Sequence, residues 1–354
     1  MTPPLKVSVG LGLRDEDWEG MVSWATECER LGVDSIWNAE TWGFDAATPL
    51  AFLAARTSTI KLGTGIMQVG ARTPAAVAMT ALSLASMSGD RFMLGLGTSG
   101  PQVIEGWHGV PFARPYTRLR ETVEIVRLAT SGERLAYEGK AFQLPLPGGE
   151  GRAIRPSAPA RHVPIYLATL GPRSLELTGE LADGWIASSF MPEHAEVFLK
   201  HIRVGVERAG RSFDEIDRRA GGVVQFGDLD ELIPPRKPGF AFEMGAMGSP
   251  EHNFYRDAYA RQGYEELTQE VLKLWLDRRR DEAAALIPDE FVTSSNFLGS
   301  EDQVRDRIRA YRNNGITTLS PAPAGDTLEE RLTTLGRFMD LVAEVNAETT
   351  ETKA

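Results

Sequence analysis

Eight short apolar, β-branched runs recur along this chain, nearly all followed by a stretch of helical periodicity, and that alternation constrains the fold more than any other feature. The runs lie at residues 6–10, 35–38, 60–66, 91–95, 164–168, 184–187, 219–225 and 317–321. Strands joined by helical crossovers pair in parallel, and eight of them close a (β/α)8 TIM barrel of the α/β class. Trp18, Met21, Val22 and Ala25 share one helix face, and further helices are predicted over residues 74–87, 116–129, 172–181, 192–209 and 327–345. Pro74, Pro172 and Pro192 stand in the first turn, where a helix tolerates proline.

A chain of 354 residues has the length of one large barrel, so a single domain is expected over residues 1–346, with a flexible polar tail at 347–354. Insertions at residues 98–118, 135–160 and 228–280 depart from the bare repeat, and insertions at the C-terminal mouth of a barrel are where specificity is built. The last of them carries Phe240, Phe242, Met244, Met247, Phe254 and Tyr255, with extra helices expected at 253–260 and 264–280. These residues either cover the mouth as an apolar lid or pack the extra helices against the barrel.

The formal net charge of −11 opposes binding to nucleic acid or anionic lipid, which leaves a small-molecule substrate. The opening MTPPLKVSVG lacks the pattern of a secretory leader, no run has the length of a membrane span, and a cytoplasmic location is expected. The one cysteine, Cys28, follows Met21 and Ala25 on an apolar stripe and is read as a buried small hydrophobe. No His, Cys, Asp and Glu set has metal-ligand spacing, so no metal is expected. A P-loop and a G-x-S-x-G elbow are also absent.

In a barrel of this kind the residues just after each strand build the reactive face. Glu40 follows the second strand, as an acid–base group or as half of a rim salt bridge. Gly95-Leu96-Gly97-Thr98-Ser99-Gly100 follows the fourth, as a backbone cradle for an anion or as a tight rim turn. Thr169-Leu170-Gly171-Pro172-Arg173 leads into a helix whose free N–H groups and arginine suit a phosphate, or make an ordinary strand-to-helix turn. His108, in the first insertion, is a second proton-transfer candidate or a structural loop residue.

In order along the chain, Asp34–Glu40, Leu62–Ile66, Ala71–Ala75, Ser88–Phe92, Leu94–Gly109 and Ala182–Trp185 resemble the luciferase-like monooxygenase superfamily, and within it the actinobacterial branch of F420-dependent oxidoreductases. The resemblance covers nearly the whole chain. It implies hydride transfer between the deazaflavin F420 and an organic substrate, with an FMN-dependent monooxygenase and a non-catalytic cofactor-binding barrel as the alternatives. It implies a non-prolyl cis peptide at Gly65–Ile66 against the cofactor ring, and Glu40, Gln68, Thr98, Ser99 and Gly100 at the cofactor. Thr169, Leu170, Gly171 and Arg173 would approach its phosphate-bearing tail, while Ser188 and Trp107 would face the substrate. Association as a homodimer is a further expectation from such relatives. Two departures matter. The aspartate–histidine pair and the glutamate of the sugar-phosphate dehydrogenases are replaced by Glu40-Thr41 and Gly100, and the histidine–carboxylate set of bacterial luciferase is not reproduced.

Overall fold

The computed structural model describes residues 3–12, 16–249 and 251–351. Its barrel strands are β1 (Lys6–Gly10), β2 (Ser35–Asn38), β3 (Lys61–Thr64), β4 (Phe92–Gly97), β5 (Ile165–Ala168), β6 (Gly184–Ile186), β7 (Asp217–Ala220) and β8 (Thr318–Leu319). Each pairs in parallel with the next, β8 pairs with β1, and Leu62 opposite Phe92 joins β3 to β4, so the eight strands form a closed ring. Around it run α1 (Trp18–Arg30), α2 (Thr48–Ala54), α3 (Pro74–Ser88), α4 (Pro115–Thr130), α5 (Pro172–Leu181), α6 (Glu196–Arg208), α7 (Glu301–Asn313) and α8 (Leu328–Glu351). The (β/α)8 reading of the sequence is borne out. α8 continues past residue 345 to Glu351, so the helix takes in part of the segment expected as a tail, and residues 352–354 lie outside the described residues.

Outward strand residues such as Val9, Ile36, Leu62 and Leu94 meet the helices, and α1 buries Met21, Trp24, Ala25 and Cys28 against them. Burial holds the Cys28 thiol in its neutral form, with its pKa far above the usual range. At the N-terminal end, the Arg91 guanidinium donates to the carbonyls of Ala54, Thr57, Ile60 and Ser88 and to the Thr57 hydroxyl, locking the turns before β3 and β4 together. Glu29 on α1 accepts from the backbone N–H groups of Ser58, Thr59 and Ile60 at the same end.

Two expected strands divide. The run at 219–225 is β7, then Gly221-Gly222, then a separate strand Val223–Phe226, while β8 is continued beyond Ser320-Pro321 by Ala322–Pro323. These continuations and Phe297–Gly299 form a second, three-stranded parallel sheet above the rim. The glycines make the step possible, because a Cβ on Gly221 would lie 2.2 Å from the Ser320 carbonyl and one on Gly222 would lie 2.1 Å from that of Ser295. The insertion after Phe226 is also longer than its sequence pattern implies, since helices Arg280–Ala285 and Asp289–Ser294 extend it. Its glycine-rich Lys237–Ala246 is helical, and Gly245 lets Trp275 pack against that helix, a Cβ there falling 2.3 Å from the indole.

The insertion has its own core of Met244, Tyr259, Val271, Phe291 and neighbours. Phe240 packs on Phe291 and Phe242 on Trp275, with ring centroids 5.1 and 5.8 Å apart. Of the two readings of these aromatics, packing of the extra helices describes Phe240, Phe242 and Met244.

The three backbone hydrogen bonds to Glu29, with a fourth from the Thr59 hydroxyl, outweigh the upward push of burial and bring its pKa from an ordinary 4.5 down to about 2. A carboxylate lowered on folding stabilises the fold above its unfolded pKa, and the contribution fades as pH falls toward the folded value. Glu29→Gln should therefore cost about 1 kcal/mol at neutral pH, a figure reduced for the water that still screens the group. In urea melts collected as a function of pH, the gap between wild type and variant should close between about pH 4.5 and 2.

Candidate active site

The barrel interior is divided. On one side Trp37, Met93, Tyr166 and Ile186 pack with Ile66 and Ala168. On the other side stand charged groups from β7 and β1, with hydroxyls from β8 and beside it. Asp217 pairs with Lys6 at 2.9 Å, accepts from the hydroxyls of Thr317 and Thr318 at 2.6 and 2.7 Å, and accepts from Tyr166 at 2.9 Å. Burial pushes its pKa up, but Lys6 and these hydroxyls more than reverse that and hold it ionised. One inward position higher, Arg219 donates to the hydroxyls of Ser8 and Ser320 at 2.7 and 2.5 Å, and its guanidinium carbon lies 4.9 Å from the centre of a Trp37 ring. Burial lowers the Arg219 pKa to about 10, which leaves it charged at neutral pH.

Above this layer the side chains become small. Gly10 ends β1 exposed, with no atom within 4 Å of where its Cβ would be, and Gly97, Ala168 and Ser188 end β4 and β5 and follow β6. Gly65–Ile66, after β3, is a cis peptide, as the resemblance implied. Thr64 and Gly95 set the spacing below it: the Thr64 hydroxyl donates to the Gly95 carbonyl at 2.9 Å and lies 2.8 Å from the Gly95 N–H. A Cβ on Gly95 would sit 1.8 Å from the Thr64 carbonyl oxygen, so the close approach of β3 and β4 requires glycine there.

Glu40 forms a two-pronged pair with Arg72, at 2.5 and 2.7 Å, and accepts from the N–H groups of Ala46 and Gln68 at 3.0 and 3.3 Å. Its side chain is 7% exposed. This geometry is the rim salt bridge rather than a free acid–base group, because both carboxylate oxygens are engaged. The hydrogen bonds to Glu40 outweigh burial and raise the Arg72 pKa, which holds its guanidinium charged. Gln68 is buried, donating through Nε2 to the carbonyls of Glu40 and Thr41, while its Oε1 is buried without a partner. Together they hold the loop after β2 against the segment after β3.

The remaining predicted residues fall into place unevenly. Thr98, Ser99 and Gly100 are half-buried at the end of β4, with Ser99 at φ 57° and Gly100 preceding the short helix Pro101–Ile104. His108 follows that helix with Nε2 buried and unpartnered, and Trp107 beside it is 64% exposed. The Thr169 side chain turns away from the mouth, its hydroxyl 2.7 Å from that of Thr178 on α5. Leu170 and Gly171 lead into the N-terminus of α5, where Arg173 is exposed and stacks 4.7 Å from the Tyr116 ring centre. Ser188 is half-buried on the rim after β6.

Two residues from the last insertion reach this face without having been singled out in the sequence. Arg261 donates to the Leu170 carbonyl at 2.8 Å, which puts a second cation beside the start of α5. Glu243 accepts from the buried Tyr259 hydroxyl at 2.8 Å and lies 3.5 Å from the hydroxyl of Ser189, the residue after Ser188. Neither sits after a barrel strand, so strand-end reading passes over them. Among the described residues no group of three or more His, Cys, Asp and Glu could hold a metal, and no helix is long and apolar enough to cross a membrane.

A sequence profile described as luciferase-like monooxygenase matches residues 4–318. The chain belongs to that family. Among its relatives is a candidate coenzyme F420-dependent oxidoreductase of Mycobacterium tuberculosis (strain ATCC 25618 / H37Rv), 40% identical over 82% of this chain and 87% of the relative. A 5,10-methylenetetrahydromethanopterin reductase of Methanolobus tindarius is 27% identical over 89% of this chain and 93% of its own. The solved coenzyme F420-dependent tetrahydromethanopterin reductase of Methanopyrus kandleri superposes with a TM-score of 0.77 at 25% identity, covering 94% of this chain and 98% of the other. The luciferase-like barrel thus extends over both halves of the chain, insertions included.

Removing one member of the Glu40–Arg72 pair strands the other charge at a partly buried site. Glu40→Gln and Arg72→Met should each cost about 2–3 kcal/mol, and the double variant should cost less than their sum by at least about 1 kcal/mol. Urea denaturation of the four proteins checks this, and strict additivity would refute the structural role.

Proposed function

We propose that this chain is a coenzyme F420-dependent oxidoreductase that moves a hydride between the bound deazaflavin and a small organic substrate at the barrel mouth. The observation that carries the reading is the joining of a floor poor in side chains, at Gly10, Gly97 and Ala168, to a cationic helix start at Gly171, Arg173 and Arg261. A flat ring suits the first, and an anionic tail suits the second, where free N–H groups and arginines favour phosphate. The unpartnered Gln68 Oε1 supplies a buried acceptor near the cis peptide. Full-length relatives named for F420 support the same choice of cofactor.

When bound, the deazaflavin supplies or accepts the hydride. The protein's part is to position and to exclude water. In this reading Gly65, Ile66, Gln68, Thr98, Ser99 and Gly100 hold the ring, Leu170, Gly171, Arg173 and Arg261 hold the tail, and Ser188, Trp107 and His108 face the substrate. Glu40 serves the ring indirectly by fixing its wall through Arg72. A cytoplasmic small-molecule enzyme is the setting implied.

Titration of the purified chain with F420 and, separately, with reduced FMN tests the cofactor. Saturable binding of F420 is expected, and tight quenching by reduced FMN alone would overturn the choice. Arg261→Ala and Arg173→Ala should each weaken F420 about tenfold, the scale of one charge-assisted contact, while leaving a tail-less deazaflavin unaffected.

We also infer a homodimer formed through α3, supported by the exposure of Met79 and Met87, 69% and 56%, two turns apart on one helix face. Light scattering should give a dimer that Met79→Glu with Met87→Glu converts to monomer. A monomeric wild type would refute it.

A further inference from the structure

We propose that Glu243, carried by the last insertion, is the acid–base residue of this site and exchanges a proton with the substrate atom that gains or loses charge during hydride transfer. The proposal rests on the oxidoreductase reading and names the substrate class it favours: carbonyls, conjugated enones or imines, and in the reverse direction the matching alcohols or amines.

Position comes first. Ser188 and Ser189 follow β6 after one intervening residue, Ala187, so they lie on the C-terminal rim, and β6 stands four places from β2 in the ring of eight. Glu243 therefore meets the rim diametrically across the mouth from Glu40. Its supports are built rather than incidental. Asn253 donates to the carbonyls of Glu243 and Met244 at 2.8 and 3.1 Å, fixing the end of their helix. Gln262 donates to the Ser189 carbonyl at 2.7 Å and accepts from the Met191 N–H at 3.0 Å, fixing the rim loop that faces it. Ser189 itself is held at φ 50°, a left-handed conformation.

The second consideration is which oxygen is free. Glu243 Oε2 takes the Tyr259 hydroxyl at 2.8 Å and the Ser189 hydroxyl at a long 3.5 Å. Among the described residues nothing donates to Oε1, and Glu243 is half-buried rather than sealed in the core. Both Glu40 oxygens, by contrast, are tied to Arg72. The titratable groups facing Glu243 are Tyr255 and Tyr259 from the helix Phe254–Tyr259, and both are held neutral by burial. Among the described residues no arginine or lysine pairs with the carboxylate. Burial accordingly raises its pKa, against the opposing hydrogen bonds from Tyr259 and Ser189. A carboxylic acid poised toward neutrality suits general acid–base work, whereas an ion-paired one does not.

The step balances. In reduction, a hydride from the reduced deazaflavin forms a C–H bond, and the π pair moves to oxygen or nitrogen. The O–H bond of Glu243 breaks as the new O–H or N–H bond forms. The products are the alcohol, the amine or, from a conjugated enone, the enol, which gains a proton at its α-carbon from water as its O–H proton is lost to give the ketone. With them come the oxidised deazaflavin and the Glu243 carboxylate, which regains its proton from water. Oxidation runs the same path backwards.

The test uses the full chain and the variants Glu243→Gln, Glu243→Asp and Tyr259→Phe. Infrared difference spectra of the cofactor-free protein should show a carboxyl band titrating above the ordinary glutamate range that Glu243→Gln abolishes. Saturating F420 should shift that band. With reduced F420 and 2-cyclohexen-1-one as probe, Glu243→Gln should lower kcat roughly a hundredfold while F420 affinity changes less than about threefold, and Glu243→Asp should restore part of the rate. Absence of the band, a band indifferent to F420, or rates of wild type and Glu243→Gln within about twofold of each other would each overturn the assignment. Failure of F420 to bind either protein would instead remove the oxidoreductase reading on which it rests, while the cofactor-free spectrum still reports whether the carboxyl titrates.

Discussion

The charges that β7 sends into the interior are the constraint around which this barrel is arranged. Asp217 and Arg219 point into a space that most barrels of this kind fill with branched apolar side chains. An isolated charge there would cost several kcal/mol of desolvation, so each must find partners from neighbouring strands. Lys6, Ser8, Tyr166, Thr318 and Ser320 are those partners, and they come from β1, β5, β8 and the residue just beyond it. Closing the ring and satisfying these groups are thus one condition, because the partners of Asp217 and Arg219 on β1 and beside β8 arrive only when β8 pairs with both β7 and β1. The aromatic half of the interior completes the layer, with Trp37 edge-on to Tyr166 at 5.0 Å and beneath the Arg219 guanidinium.

That layer lies beneath the floor of the mouth, and the two rims above it are made differently. Beside β2 and β3 the wall is an ion pair buttressed by an amide, and its chemistry is used up in holding shape. Beside β5 and β6 the wall comes from a distant part of the chain, and its polar groups retain unspent capacity: the buried Nε of Arg261 has no partner, and Glu243 has an unengaged oxygen. A site for hydride transfer needs both kinds of surface, one to fix a ring and one to respond to charge.

The fold was legible because its determinants are periodic and local. Alternating apolar runs located all eight barrel strands, and β1 and β2 begin and end where their patterns do. Several of the recurrent short segments turn out to be architectural. Gly89 is the left-handed end of α3, Arg91 is the clamp at the base, and Gly184 exists because a Cβ there would strike the Tyr166 ring at 2.2 Å. Trp185 donates to the Thr169 carbonyl at 2.9 Å, which explains why Thr169 is fixed in place yet faces α5. The site was only half legible. Glu40 was found by its place after a strand, but its commitment to Arg72 depends on a contact 32 residues away in sequence. Arg261 and Glu243 sit inside helices of an insertion, where nothing periodic distinguishes a residue turned toward the mouth from one turned toward solvent. The double glycine at Gly221-Gly222 was read within one apolar run, although it marks the passage from one sheet to another.

That passage decides how the mouth can open. β7 and β8 do not end in loose loops at the rim; they continue through hydrogen-bonded strands into the sheet that carries the insertion. Swinging the insertion aside as a body would break that ladder and expose the apolar core behind it, so this flank is anchored masonry and not a hinge. Freedom to move is left to the opposite flank, at the loops after β2 and β4, where Trp42 and Trp107 stand 62% and 64% exposed.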